Sequence, residues 1–113
     1  MRMWMVKPSG MCNQHLLGEH CELHMFIGTL KKKIRIDGYI KNNLFEPKSI
    51  ESRHQELVDE MKQRGMDHKS PLCDFSYSYI GEEKMNYKID RMAAYETLIS
   101  RCPRCKEKMG YNC

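Results

Sequence analysis

The chain has 113 residues, 41% apolar and 30% charged, with a net charge of +4. That suffices for one domain with one modest core, and no run of about 18 apolar residues exists to span a membrane. The first residues lack the charged-then-apolar pattern of a secretory signal, so the expected setting is intracellular (cytoplasmic or nucleoid-associated, including a viral protein in its host cell). Residues 1–50 hold 8 Lys and Arg against 4 Asp and Glu, whereas residues 51–113 hold 11 of each. The whole surplus therefore sits in the first half, which favours a polyanionic partner such as nucleic acid.

Residues 1–8, MRMWMVKP, read as an extended N-terminal arm anchored by Trp4 and stopped by Pro8, which keeps Lys7 out of helical geometry. The stretch from Ser9 to Lys33 reads as the main helix. Ser9 is the expected N-cap and Lys31, Lys32 and Lys33 suit the negative end of the helix dipole. Leu16, His20, Leu23, Ile27 and Leu30 recur at helical spacing and predict a buried stripe, with His20 as a satisfied core histidine. Gln14, His15, Gly18, Glu22 and Met25 fall opposite. That arc is either a solvated polar face or a site where Gly18 lets a ligand approach the Glu22 carboxylate.

Ile34 to Ile40 reads equally as a minimal hairpin turning at Asp37-Gly38 or as a loop, and residues 41–48 as a loop. A second helix is predicted from Ser49, or from Ser52, to Arg64. Its stripe is Ile50, Leu57, Val58 and Met61, and Gly65 follows its end. On it, Arg53 and His54 face either the site or solvent. Residues 66–85 read as irregular, with Phe75, Tyr77 and Tyr79 packing side by side. A third helix is predicted over 86–102, with Ile89, Met92, Ala93 and Ile99 inward. Pro103 ends it, and the tail 103–113 lacks periodicity. The sum is a mainly α single domain, residues 1–113, of about three helices with long irregular connections.

Six cysteines without a signal argue for reduced thiols or a metal rather than disulfides. Cys102-Pro-Arg-Cys105 is half of a zinc pattern. Cys12 and His15 supply the other half if the chain ends meet, with His20 and Cys113 as alternative ligands. Otherwise the thiols pack as small apolar groups.

Gln14-His15-Leu16, Glu19, Glu22-Leu23 and Gly28 together resemble the pyrimidine-dimer DNA glycosylase/AP-lyase family of the phage endonuclease V type. Gln55-Glu56-Leu57 through Arg64-Gly65 is a second match, and Arg101 with Pro103 a third. The resemblance implies a compact all-α monomer that acts on double-stranded DNA without a required cofactor. It implies that the α-amine of Met1 attacks the sugar of the damaged nucleotide, that Glu22 assists, and that Arg2, Gln14 and His15 touch DNA. Lys31, Lys32 and Lys33 with Arg101, Arg104, Lys106 and Lys108 would add phosphate contacts. Two departures bear on lesion choice: Cys21 and Met25 stand where the family has arginines, and the tail is rich in cysteine and lysine rather than aromatics. The alternative is a small zinc-binding nucleic-acid-binding protein without catalysis.

An α-amine suits this chemistry. With an ordinary pKa of about 7.7–8.0, roughly 14% is neutral and nucleophilic at pH 7, against about 0.04% of a lysine.

Overall fold

The strong helical spacing of the first third becomes helix α1, Asn13–Lys31. In the computed structural model, which describes residues 1–109, it is followed by α2 (Asp37–Lys41), α3 (Ile50–Gln63), α4 (Glu82–Met85), α5 (Arg91–Arg101) and α6 (Pro103–Lys108). No strand occurs among the described residues. The chain is a mainly α single domain, as its patterning predicts.

Leu16, Leu23, Phe26, Ile27 and Leu30 of α1 pack with Ile50, Leu57 and Met61 of α3 and with Met3, Trp4 and Val6 of the arm. Phe26 stacks on Phe45 at 4.1 Å between ring centres. Burying side chains of this size supplies about 1.5–3 kcal/mol each. Gly65 ends α3 at φ +80°, a conformation that an L side chain adopts only under strain.

Several expectations are corrected. Ser9 does not cap α1: Pro8 starts a 3₁₀ turn over Pro8–Gly10, and Cys12 is the N-cap residue. The hairpin at 34–40 is the short helix α2, because Asp37 favours a first turn and Lys41 a last one. The third helix begins at Arg91, where the Asp90 carboxylate accepts from the Ala93 N–H. Ala94 and Leu98 are its buried residues, while Met92 is 64% exposed and Ala93 is exposed. Pro103 does not merely terminate a helix; it is the first residue of α6, where a missing N–H costs nothing.

Two charged clusters organise the fold. In the first, the fully buried Glu19 of α1 takes two hydrogen bonds from Arg53 of α3, Nε to Oε2 at 2.6 Å and Nη2 to Oε1 at 2.9 Å. Arg53 also donates to the Val6 carbonyl at 2.8 Å. It therefore fastens the arm while joining the helices, rather than facing cleft or solvent. Arg64 repeats the device, donating to the carbonyls of Pro8 at 3.1 Å and Met11 at 2.7 Å.

In the second cluster, Glu46, fully buried, accepts from the Ile89 N–H at 2.8 Å, from Arg91 and from the Ser49 hydroxyl. Burial pushes its carboxyl up, but the bonds from Arg91, Ser49 and Ile89 outweigh it and hold the pKa below the ordinary 4.5. A carboxyl lowered by folding contributes stability that is present above the unfolded value and lost as pH falls through the folded one. The melting temperature should therefore fall from about pH 5 towards about pH 3. Thermal melts of Glu46→Gln should show a shallower acid slope; an unchanged slope would assign it to other carboxylates.

Candidate active site

The arm is pinned at successive points. Met3 is fully buried and its N–H donates to the Leu44 carbonyl at 2.7 Å. Trp4 is 5% exposed and Met5 takes a left-handed turn at φ 56°. So the arm does not trail over the surface; it returns its first residue to the polar face of α1. There the Met1 amine lies 3.8 Å from Glu22 Oε1, with both groups partly buried.

The pair opens into a cleft of about 880 Å³ also lined by Arg2, Gln14, His15 and Arg101. Gly18 lies on its wall, and a Cβ there would meet nothing within 4 Å. The polar arc of α1 is therefore a cleft wall. The structure brings together Met1, Glu22, Arg2, Gln14, His15 and Arg101. Lys31, Lys32 and Lys33 stand outside that lining, exposed at the end of α1, roughly 13 Å further along the axis than Glu22. Asn42, Leu44 and Thr97 also line the cleft; sequence offered no signal for them, since they come from loops and from α5.

The electrostatics are those of a site short of counter-ions. Burial raises the Glu22 carboxyl above its ordinary value, opposed by the N-terminal ammonium and assisted by nearby Glu19. Burial also lowers the Arg2 guanidinium, and Arg101 pushes it the same way. Arg2 stacks over Trp4 with its guanidinium carbon 3.8 Å from the ring centre. Its Nε is buried without a partner among the described residues. Two arginines repelling each other across a cleft are suited to an anion such as a phosphate.

Beside the cleft the start of α1 meets the start of α6. Cys12 Sγ lies 3.2 Å from His15 Nδ1 and 3.8 Å from Cys102 Sγ; Cys105 Sγ is 3.7 Å from His15 Nδ1. The four donor atoms lie within 4.8 Å of one another. The Cys12 N–H donates to Cys105 Sγ at 3.2 Å and the Cys105 N–H to Cys102 Sγ. Burial pushes the Cys105 thiol up to about 12, whereas on Cys102 the bonds from Cys105 and Cys12 outweigh burial and lower it. Gly10 lets Met109 pack close by, since a Cβ there would meet the Met109 Cγ at 2.6 Å. This is a candidate metal-binding cluster. His20 is not part of it, and Cys113 lies outside the described residues.

His20 is buried, as its place on the stripe predicts, but it is not satisfied. Its Nε2 lacks a partner among the described residues, and His24, His54 and His68 surround it. Burial, then His54, His24 and His68, lower its pKa to about 4. The spacing of His20 and His24, one helical turn apart, was the available sequence signal for this group.

Fold and cleft together define a class: a small, mainly α enzyme-like domain whose first residue is built into its own cleft. A family model for pyrimidine dimer DNA glycosylase matches residues 1–74, and the chain belongs to that family. Its membership makes it a DNA glycosylase of DNA repair, with DNA as substrate. No curated protein and no solved structure matches the chain. Met1, Arg2, Gln14, His15 and Glu22 lie within the matched residues; Arg101, Cys102 and Cys105 lie beyond them. No helix among the described residues is long and apolar enough to cross a membrane.

Proposed function

We propose that the protein is a bifunctional glycosylase and AP lyase that acts on duplex DNA, as a monomer inside the cell, through an imine at its own N-terminus. The observation that carries this is the Met1 amine, 3.8 Å from the Glu22 carboxylate at the wall of an arginine-lined cleft. The neutral amine attacks C1′ of the damaged nucleotide and the C1′–N bond breaks, the base leaving with its electron pair. The adduct opens to an iminium. Loss of a C2′ proton then expels the 3′ oxygen and cuts the strand. Glu22 opposes the positive charge that develops on the sugar and moves protons, an effect exerted on the transition state rather than on the resting ammonium. The nucleotide is exposed to the cleft by flipping. Arg2 and Arg101 hold the flanking phosphates, Gln14 and His15 contact the strand, and Lys31, Lys32 and Lys33 with Arg104, Lys106 and Lys108 extend the nonspecific contact.

Borohydride reduction in the presence of a duplex carrying one abasic site tests this. The expected product is a covalent adduct that peptide mapping assigns to Met1. An adduct on a lysine would keep the lyase chemistry and overturn the nucleophile; no adduct with a free N-terminus would overturn both.

A structural zinc at Cys12, His15, Cys102 and Cys105 fits beside this chemistry. Zinc at about 2.3 Å from sulfur and about 2.0–2.1 Å from nitrogen gives tetrahedral edges of roughly 3.6–3.8 Å. The observed 3.8 Å and 3.7 Å separations meet that geometry, and the 3.2 Å contact needs a small opening. His15 would bind through Nδ1, leaving Nε2 to donate into the cleft. Cys102→Ser should lose one equivalent of zinc and melt at lower temperature; an unchanged metal content would reject the site. A binding protein without catalysis is distinguished by the native chain itself, which would then bind the duplex and leave it uncut.

A further inference from the structure

Four imidazoles meet on the side of α1 away from the cleft. His20 and His24 come from α1, His54 from α3 and His68 from the irregular segment after it. Ring centres lie 4.9 Å apart for His20 with each of His24, His54 and His68, and 5.1 Å for His54 with His68. His20 is 9% and His54 8% exposed. Nε2 of all four is buried with no hydrogen-bond partner among the described residues.

A hydrophobic core offers no reason for this. Each imidazole carries a nitrogen lone pair or an N–H that water would satisfy, and burying four of them together forfeits that solvation without a protein partner. Mutual hydrogen bonding is not what the rings do, since every Nε2 is unpaired. One guest satisfies them all: a cation that accepts several neutral imidazole nitrogens at once. Donor atoms from His20, His54 and His68 already lie within 4.8 Å of one another. Closing them to the roughly 3.3 Å edges of a tetrahedron with zinc–nitrogen bonds of about 2.0–2.1 Å moves each by less than about 1 Å. His24 lies one turn from His20 on α1, its ring centre 4.9 Å from that of His20 and 5.3 Å from that of His54.

We propose that His20, His54 and His68, with His24 beside them, form a binding site for a divalent transition-metal cation of the zinc class, separate from the cysteine cluster. Imidazole-only donors select zinc, copper, nickel or iron over calcium and magnesium. The ion is held by three imidazoles from three segments, with its fourth position open to water or to a shift of His24. It ties residue 68, and with it the start of the 66–80 segment, to α1 and α3. The site is independent of the imine chemistry and of the cysteine cluster.

The test titrates metal-free protein with Zn²⁺ alone and measures bound metal by mass spectrometry, using His68→Ala, Cys102→Ser and the double variant. His68 lies outside any helix, so helix content by circular dichroism serves as the folding control. The expected result is that His68→Ala weakens one equivalent at least tenfold while Cys102→Ser leaves that equivalent in place. In Co²⁺-loaded protein, a thiolate charge-transfer band should persist in His68→Ala if the cysteine cluster binds, and d–d bands from the histidine site should persist in Cys102→Ser. Zn²⁺ should also slow tryptic cleavage after the exposed Lys69 in the native chain and not in His68→Ala. Zn²⁺ affinity unchanged between native chain and His68→Ala, with cleavage at Lys69 indifferent to zinc, would overturn the proposal whatever the cysteines do.

Discussion

Glu22→Gln should lower the rate of pyrimidine-dimer excision by about 10²- to 10⁴-fold, the range for loss of a positioned acid–base group. The amide keeps the shape of the carboxylate and removes only its charge and its capacity for protons. Acetylating Met1, or extending the chain ahead of it, should abolish activity altogether, because the nucleophile is then an amide. Both changes should leave helix content intact. Beyond the loss of neutral amine, the acid limb of the native pH profile should carry a second step above 4.5, because burial raises the Glu22 carboxyl and its protonated form cannot oppose charge on the sugar. Single-turnover assays on a defined dimer duplex would read all three. Excision by Glu22→Gln within a few-fold of native would remove Glu22 from the chemistry.

The second large effect concerns stability. Glu19→Gln should cost about 3–5 kcal/mol, because Arg53 would remain as a buried charge without its bidentate partner. For a domain of this size that is on the order of 15 °C in melting temperature. Replacing both residues, with Glu19→Leu and Arg53→Met, should cost much less than the two single changes summed, since no unpaired charge remains. Additive losses in that double-mutant cycle would show that the pair is not coupled. Arg53→Met alone should have a further consequence: it releases the Val6 carbonyl and loosens the arm that sets the Met1 amine beside Glu22.

These two carboxylates, one turn apart on α1, also show what a sequence reveals. Helical spacing marked α1 and α3 and separated Leu16, Leu23, Ile27 and Leu30 from the arc carrying Gln14, His15 and Glu22. It could not show that Glu19 is buried, because a carboxylate in a helix reads as polar until a particular arginine, 34 residues away, is known to reach it. Arg53 was ambiguous for the same reason. The errors lie where one signal has two meanings. A proline after a helical run marks an end, but at 103 it opens a new helix; Asp37-Gly38 suits a turn, but begins α2. The cysteine cluster was visible as two half-patterns whose closure depended on the chain ends meeting. The histidine group was visible only as one pair at helical spacing, since His54 and His68 join it through tertiary packing.

The meeting of Cys12 with Cys102 and Cys105 also imposes an order on biosynthesis. Ninety residues separate the first cysteine from its nearest partner thiol. At roughly 5–20 residues per second, ribosomes place about 5–20 s between them. Throughout that interval the Cys12 side chain has neither the sulfurs nor the α6 backbone that later enclose it. A growing chain therefore carries this thiol without its later neighbours for the whole of that interval. The cleft wall contributed by Arg101 is likewise made well after the Met1 and Glu22 that it faces.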